Sequence, residues 1–159
     1  LRDKKYAQSN SKAIDYVKHE LSKIKNLKDF KYLLLLQPTS PFRRVSDFNK
    51  AYYMLKKNSC DSVISSKIVK EHPLLMHRYS GEVKYISKNH KKAFSGRQNF
   101  PKIFLRQGAL YLTKISTLFK TNSLHGGKVK HIIVDGKYSV NIDNKEDVLI
   151  AEYYFQNKN

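Results

Sequence analysis

The sequence has little cysteine, proline or glycine: one Cys, four Pro and six Gly in 159 residues, and no Trp. A single thiol, Cys60, cannot close an intrachain disulfide, which excludes a disulfide-stapled fold and fits a reducing compartment such as the cytoplasm. So few Gly and Pro exclude collagen-like and low-complexity chains. Leu33 to Leu36 is the longest aliphatic run, far short of the ~20 residues of a membrane-spanning helix, so no membrane partner is expected. Nor does a charged stretch followed by an apolar one open the sequence, as in a secretory signal. Acidic residues are scarce too: 13 Asp plus Glu against 31 Lys plus Arg, a net charge of +18. Such a field attracts polyanions or phosphate-rich substrates. Yet Lys supplies 25 of the cations and Arg only 6, whereas bidentate phosphate and guanine recognition favours Arg. The Lys residues are spread along the chain without a long block, so nucleic acid is not the expected partner.

Familiar catalytic signatures are missing as well. There is no phosphate-binding G-x-x-x-x-G-K-[ST], no G-x-G-x-x-G, no H-E-x-x-H, no C-x-x-C and no G-x-S-x-G elbow. The six His residues have no metal-ligand spacing, and His72 and His77 read as surface or loop residues.

What is present alternates. Ile14, Val17, Leu21 and Ile24 recur at helical spacing over residues 11–25. The apolar run at 32–36 predicts a strand buried on both faces, ended by Pro38 and Pro41. A helix should follow, capped by Ser46, with Phe48, Ala51, Tyr52 and Leu55 as its stripe. Strands are predicted at 61–69, 83–86, 108–113 and 131–134, and a last helix at 145–155 with Asn144 and Asp147 in a capping box. This order predicts one α/β domain over 1–159, three-layered, with a Rossmann-like and mostly parallel sheet. Ligands of such sheets bind beyond the carboxyl ends of the strands, where three chemically rich segments fall.

The first is Gln37 to Arg44. Gln37 can donate and accept, fixing a base or a sugar hydroxyl, and Arg43 and Arg44 can neutralise phosphate or carboxylate. The same residues also suit a proline-rich connector with solvated arginines. The second holds Arg97 and Gln98, suited to a carboxylate with hydroxyls or to an ordinary loop, followed by Gln107 and Gly108, where a ligand can approach the backbone. In the third, strand alternation puts Asn141 and Asp143 on one face, where two oxygen side chains can hold Mg²⁺, or simply end a strand.

In this order, Leu35-x-Gln37-Pro38-Thr39-Ser40-Pro41-Phe42-Arg43, Asp61-Ser62-Val63-Ile64-Ser65, His72-Pro73, Arg97-Gln98, Gly108-Ala109-Leu110-Tyr111 and Ile142-Asp143 resemble the acylneuraminate cytidylyltransferase family, which makes CMP-sialic and CMP-legionaminic acids. The resemblance implies a nucleotidyltransferase fold and Mg²⁺-assisted transfer of CMP from CTP to an acidic nine-carbon sugar. It also implies a homodimer. Asp143 would be catalytic and, with Asn141, hold the metal. Gln37, Ser40, Arg97, Gln98 and Gln107 would bind the sugar acid, and Arg2 would lie toward the nucleotide. The family's metal site commonly has Asp where Asn141 stands, and its usual Asn before Gly-Ala is Gln107. The first residue, Leu1, matches a point well inside family members. The N-terminal βαβ portion with its triphosphate loop is therefore expected to be missing, leaving a partial domain that is inactive or weak alone. Transfer to pseudaminic or 3-deoxy-manno-octulosonic acid and a non-catalytic basic binding domain are the alternatives.

Overall fold

Leu33 and Leu35 face one side of their strand and Leu34 the other, and the helices sort to the two sides accordingly. The computed structural model describes residues 3–6, 8, 11–89, 91 and 96–157. Among these residues the order is α1 (Ala13–Ser22), β1 (Tyr32–Leu35), α2 (Val45–Lys56), β2 (Ser62–Ile68), β3 (His77–Tyr79), β4 (Val83–Tyr85), β5 (Phe104–Lys114), α3 (Ile115–Thr121), β6 (Val129–Ile133) and α4 (Lys145–Gln156), with short 3₁₀ turns between. None of these helices is long and apolar enough to cross a membrane.

Four strands form a mixed sheet in the order β1-β5-β2-β6, and β3 and β4 make a separate hairpin. Three layers result, as the alternation predicts. Ala51 and Leu55 of α2 pack on Val63, Leu110, Leu112 and Ile132 from one side. Val17 and Leu21 of α1 and Leu118 of α3 pack on Leu33 and Leu35 from the other. Leu55 and Leu118 are wholly enclosed, and truncating either to Ala should cost about 2–5 kcal/mol.

The sheet corrects the expectation of mostly parallel pairing. β1, β2 and β6 share one direction, but β5 lies antiparallel between β1 and β2, so β2–β6 is the parallel pair. Parallel neighbours need a crossover, usually helical. The 69–103 excursion carries the β3–β4 hairpin and returns to the rim it left, where the Val69 N–H donates to Ile103 O at 2.9 Å. The chain therefore has to re-enter the sheet in the opposite direction.

Other differences are local. β1 is an edge strand rather than one buried on both faces, and Leu34 and Leu36 are 36% and 43% exposed. α2 begins one residue before Ser46, with Arg44 in the cap position. No side chain caps it; instead Arg44 Nε donates to Asp47 Oδ2 at 2.9 Å, three residues on. His72 is buried, not a surface residue. Its Nδ1 accepts from the Leu74 N–H at 3.1 Å, so Nε2 carries the proton and donates to Pro101 O at 3.1 Å. The capping box of α4 is as expected: Asn144 Oδ1 accepts from Asp147 N at 2.9 Å, and Asp147 Oδ2 accepts from Asn144 N at 3.1 Å.

Candidate functional site

Where β1 ends, Gln37-Pro38-Thr39-Ser40 closes a β-turn, with Ser40 N–H donating to Gln37 O at 3.1 Å. Pro38 presets φ at the second turn position, which is why the apolar strand stops there. Because β5 runs antiparallel to β1, with Leu35 opposite Tyr111, its early residues Gln107 and Gly108 arrive at this same rim. A parallel β5 would have put them at the other.

β5 bulges at this point. Ile64 pairs with Tyr111, but the next residue of β2, Ser65, pairs with Gln107. The excess chain on β5 is plugged by the Ser65 hydroxyl, which accepts from Leu110 N at 2.9 Å and donates to Gln107 O at 2.6 Å. The bulge turns Gly108 toward Gln37. A Cβ on Gly108 would sit 1.9 Å from Gln37 Oε1, so the group that approaches this glycine closely is the chain's own amide.

The third segment, 140–143, is extended chain rather than a strand. It is tied to the turn by the Ile142 N–H, which donates to Thr39 O at 2.7 Å. A directional relay runs across all three segments. The Ala109 N–H donates to Gln107 Oε1 at 2.7 Å, which fixes that amide with its nitrogen outward. Gln107 Nε2 then donates to Val140 O at 3.1 Å and to Ser40 Oγ at 3.2 Å. Ser40 in turn gives its proton to Asn141 Oδ1 at 2.9 Å. That leaves Asn141 Nδ2 facing Asp143, and it donates to Oδ2 at 2.7 Å. Asp147 fixes the backbone beneath, accepting from Asp143 N at 2.9 Å.

The structure thus brings Gln37, Ser40, Gln107, Asn141 and Asp143 to one rim. Ser40 and Gln107 are buried and their hydrogen-bonding capacity is used within the chain. The Gln37 amide is not engaged in a hydrogen bond among the described residues, and the Asp143 carboxylate is exposed. Arg97 and Gln98 lie on a 3₁₀ turn, Arg97–Asn99, with exposed side chains. The Gln98 amide folds back against Gly96, and among the described residues no hydrogen bond or ion pair joins either side chain to the cluster. Arg2 lies outside the described residues.

The arginines that follow the turn are engaged by the chain itself. Arg43 Nε donates to Ala109 O at 2.9 Å and its Nη2 to Gln37 O, clamping β1 to the bulge. Burial lowers its pKa from the usual guanidinium value. Arg44 bonds Asp47 and Asp135 and covers the Tyr138 ring, and the Asp47 bond raises its pKa. Ser65 builds the site as well, although it stands outside the three chemically rich segments. The sequence marks it only by a pair of hydroxyl residues, Ser65-Ser66, inside a strand that is otherwise largely apolar.

For a metal, the donor set is thin. Among the described residues no three His, Cys, Asp or Glu side chains converge, and Asn141 turns its nitrogen, not its oxygen, toward Asp143. One exposed carboxylate fits a hydrated Mg²⁺ that shares its coordination with substrate phosphate, since Mg²⁺ keeps several waters and needs one or two carboxylates.

No family model matches the chain. It is 26% identical over 132 residues to the post-translational flagellin modification protein B of Campylobacter coli, covering 82% of this chain and 55% of that protein. It is 22% identical over 149 residues to the N-acylneuraminate cytidylyltransferase of Streptococcus agalactiae, covering 94% of this chain and 35% of that protein. The chain therefore spans about half the length of one curated relative and about a third of the other. In fold it matches the 4-diphosphocytidyl-2C-methyl-D-erythritol synthase of Anaerococcus prevotii, with a TM-score of 0.60 at 15% identity over 91% of this chain and 67% of that one. These likenesses support a relationship to the cytidylyltransferases on a shared α/β nucleotidyltransferase fold.

Proposed function

We propose that the chain is the sugar-binding part of a cytidylyltransferase that moves CMP from CTP to a nonulosonic, sialic-acid-like sugar acid. The observation that carries this is the convergence of Gln37, Ser40, Gln107, Asn141 and Asp143 at one sheet rim, on a fold shared with a cytidylyl-forming enzyme.

In this reaction a hydroxyl oxygen of the sugar attacks the α-phosphorus of CTP in line. A new P–O bond forms, the bond to the β-phosphate oxygen breaks, pyrophosphate leaves, and the hydroxyl proton passes to solvent. Positioning and charge neutralisation then supply most of the catalysis. Gln37, with its amide unengaged, hydrogen-bonds the sugar. Ser40 and Gln107 act through Asn141, orienting the Asp143 carboxylate toward the phosphate side. Arg97 and Gln98, exposed on their 3₁₀ turn, are the groups that take the carboxylate and hydroxyls of the sugar acid. Mg²⁺ held by Asp143, with Asn141 beside it, would screen phosphate charge and lower the pKa of a hydroxyl bound to it. The cytoplasm as the compartment and a second copy of the chain as a partner belong to the same proposal; light scattering reads the latter.

The test is pyrophosphate release from CTP with neuraminic, legionaminic and pseudaminic acids, using the complete product of the gene that encodes this sequence. Turnover with a nonulosonic acid, lost at least 100-fold in Asp143→Asn without a change in melting temperature, is the expected result. A folded protein that ignores CTP and every such acid overturns the proposal.

A further inference from the structure

A second cleft lies at the end of the sheet remote from Gln37. β1 starts at Tyr32, five residues and about 16 Å of extended chain before Gln37, and β5 ends beside it at Lys114. At this end of the sheet, beside the segment 25–31, opens a cleft of about 1080 Å³. Lys25, Lys28 and Lys31 line it from the segment before β1, Lys56 from the end of α2 and Lys114 from the end of β5. Lys114 is paired with Asp61 at 3.0 Å. Among the described residues no ion pair takes Lys25, Lys28, Lys31 or Lys56, and Asp29 is the sole carboxylate of the lining.

The walls are held by backbone rather than by the lysines: the Ile115 N–H donates to Lys31 O and the Asp29 N–H to Asn26 O, each at 3.0 Å. Four unpaired ammonium groups brought together from two separate parts of the chain repel one another and contribute nothing to that framework. A bound anion would turn the repulsion into attraction. Lysine, a compact point charge with rotatable donors, suits linked phosphates that present charge in many directions. Phe30 exposes 57% of its surface at the same cleft, a face on which a base can stack.

We propose that this cleft binds a small anion of linked phosphates, apart from the candidate cytidylyl-transfer site. Such phosphates come either as an inorganic chain or on a nucleoside. The experiment titrates the protein with inorganic tripolyphosphate and with ATP at fixed ionic strength, following backbone amide shifts. Shifts at Lys28, Lys31, Asn58 and Ser116 are expected. ATP binding tighter than tripolyphosphate supports a nucleoside ligand, and equal affinity supports the inorganic chain. K28A/K31A/K56A should weaken binding about tenfold, and the control K50A/K84A/K130A by less than about twofold, with circular dichroism verifying the fold of both. Equal weakening in the two triple variants, absence of shifts at the cleft, or tighter binding of a single-stranded oligonucleotide at the same amides overturns the proposal.

Discussion

The Ser40 hydroxyl donates to Asn141 Oδ1 at 2.9 Å, joining residues 101 positions apart in sequence. Every bond upstream of it has a fixed direction, because the chain begins at a backbone N–H that can only donate. Ser40→Ala removes the link and leaves Asn141 Oδ1 without its donor. A stability loss of about 1–3 kcal/mol is expected in urea unfolding, together with reduced turnover. An unchanged midpoint would show that the relay does not hold the rim together.

Gly108 and Gln37 form a second coupled pair. An added methyl at Gly108 meets Gln37 Oε1 first, at 1.9 Å, and Ser40 Oγ at 3.2 Å. The end of a flexible side chain gives way, so Gly108→Ala should cost only about 1 kcal/mol, at the low end for overpacking. Its effect should fall on binding, raising KM for the sugar acid more than it lowers kcat. On a Gln37→Ala background the same substitution should be nearly neutral, a non-additivity that a double-mutant cycle reads.

Ser65 holds the bulge open from inside the sheet, with its hydroxyl on both Leu110 N and Gln107 O. Ser65→Ala strands a buried N–H and should destabilise by about 1–3 kcal/mol. Hydrogen exchange at Leu110 should accelerate more than at Leu112, which pairs normally with Leu34 and Val63. Uniform acceleration along β5 would assign the loss to general destabilisation instead.

Asp61 supplies the pH dependence. The Lys128 N–H, and after it the Lys114 ammonium, hold its carboxyl below the usual carboxylate range. A depressed folded-state pKa stabilises the fold above the unfolded value, about 3.9 for Asp, and that contribution fades as pH falls through the folded value. Asp61→Asn should therefore melt below the wild type at pH 7, with the gap closing below about pH 4. A gap that stays constant down to pH 2 would remove the carboxylate from the account.

Much of this protein could be read from its residues in order. Helical spacing placed α1, and the Asn144–Asp147 capping box placed the start of α4, because both signals lie within a few residues and need no distant partner. The turn at Gln37-Pro38 was legible for the same reason. Asn141 and Asp143 were paired on the premise of a strand; they do meet, but on extended chain between a 3₁₀ turn and α4.

The tertiary structure decided the rest. The direction of β5 is set by where the 69–103 excursion returns, and only that antiparallel entry carries Gln107 and Gly108 to the rim of Gln37. Burial on one face or two depends on sheet order, which no single strand encodes, so β1 became a half-exposed edge. Arg43 and Arg44 show the same limit: their charge was plain from sequence, but carbonyls and carboxylates that folding brought near determined what those charges hold.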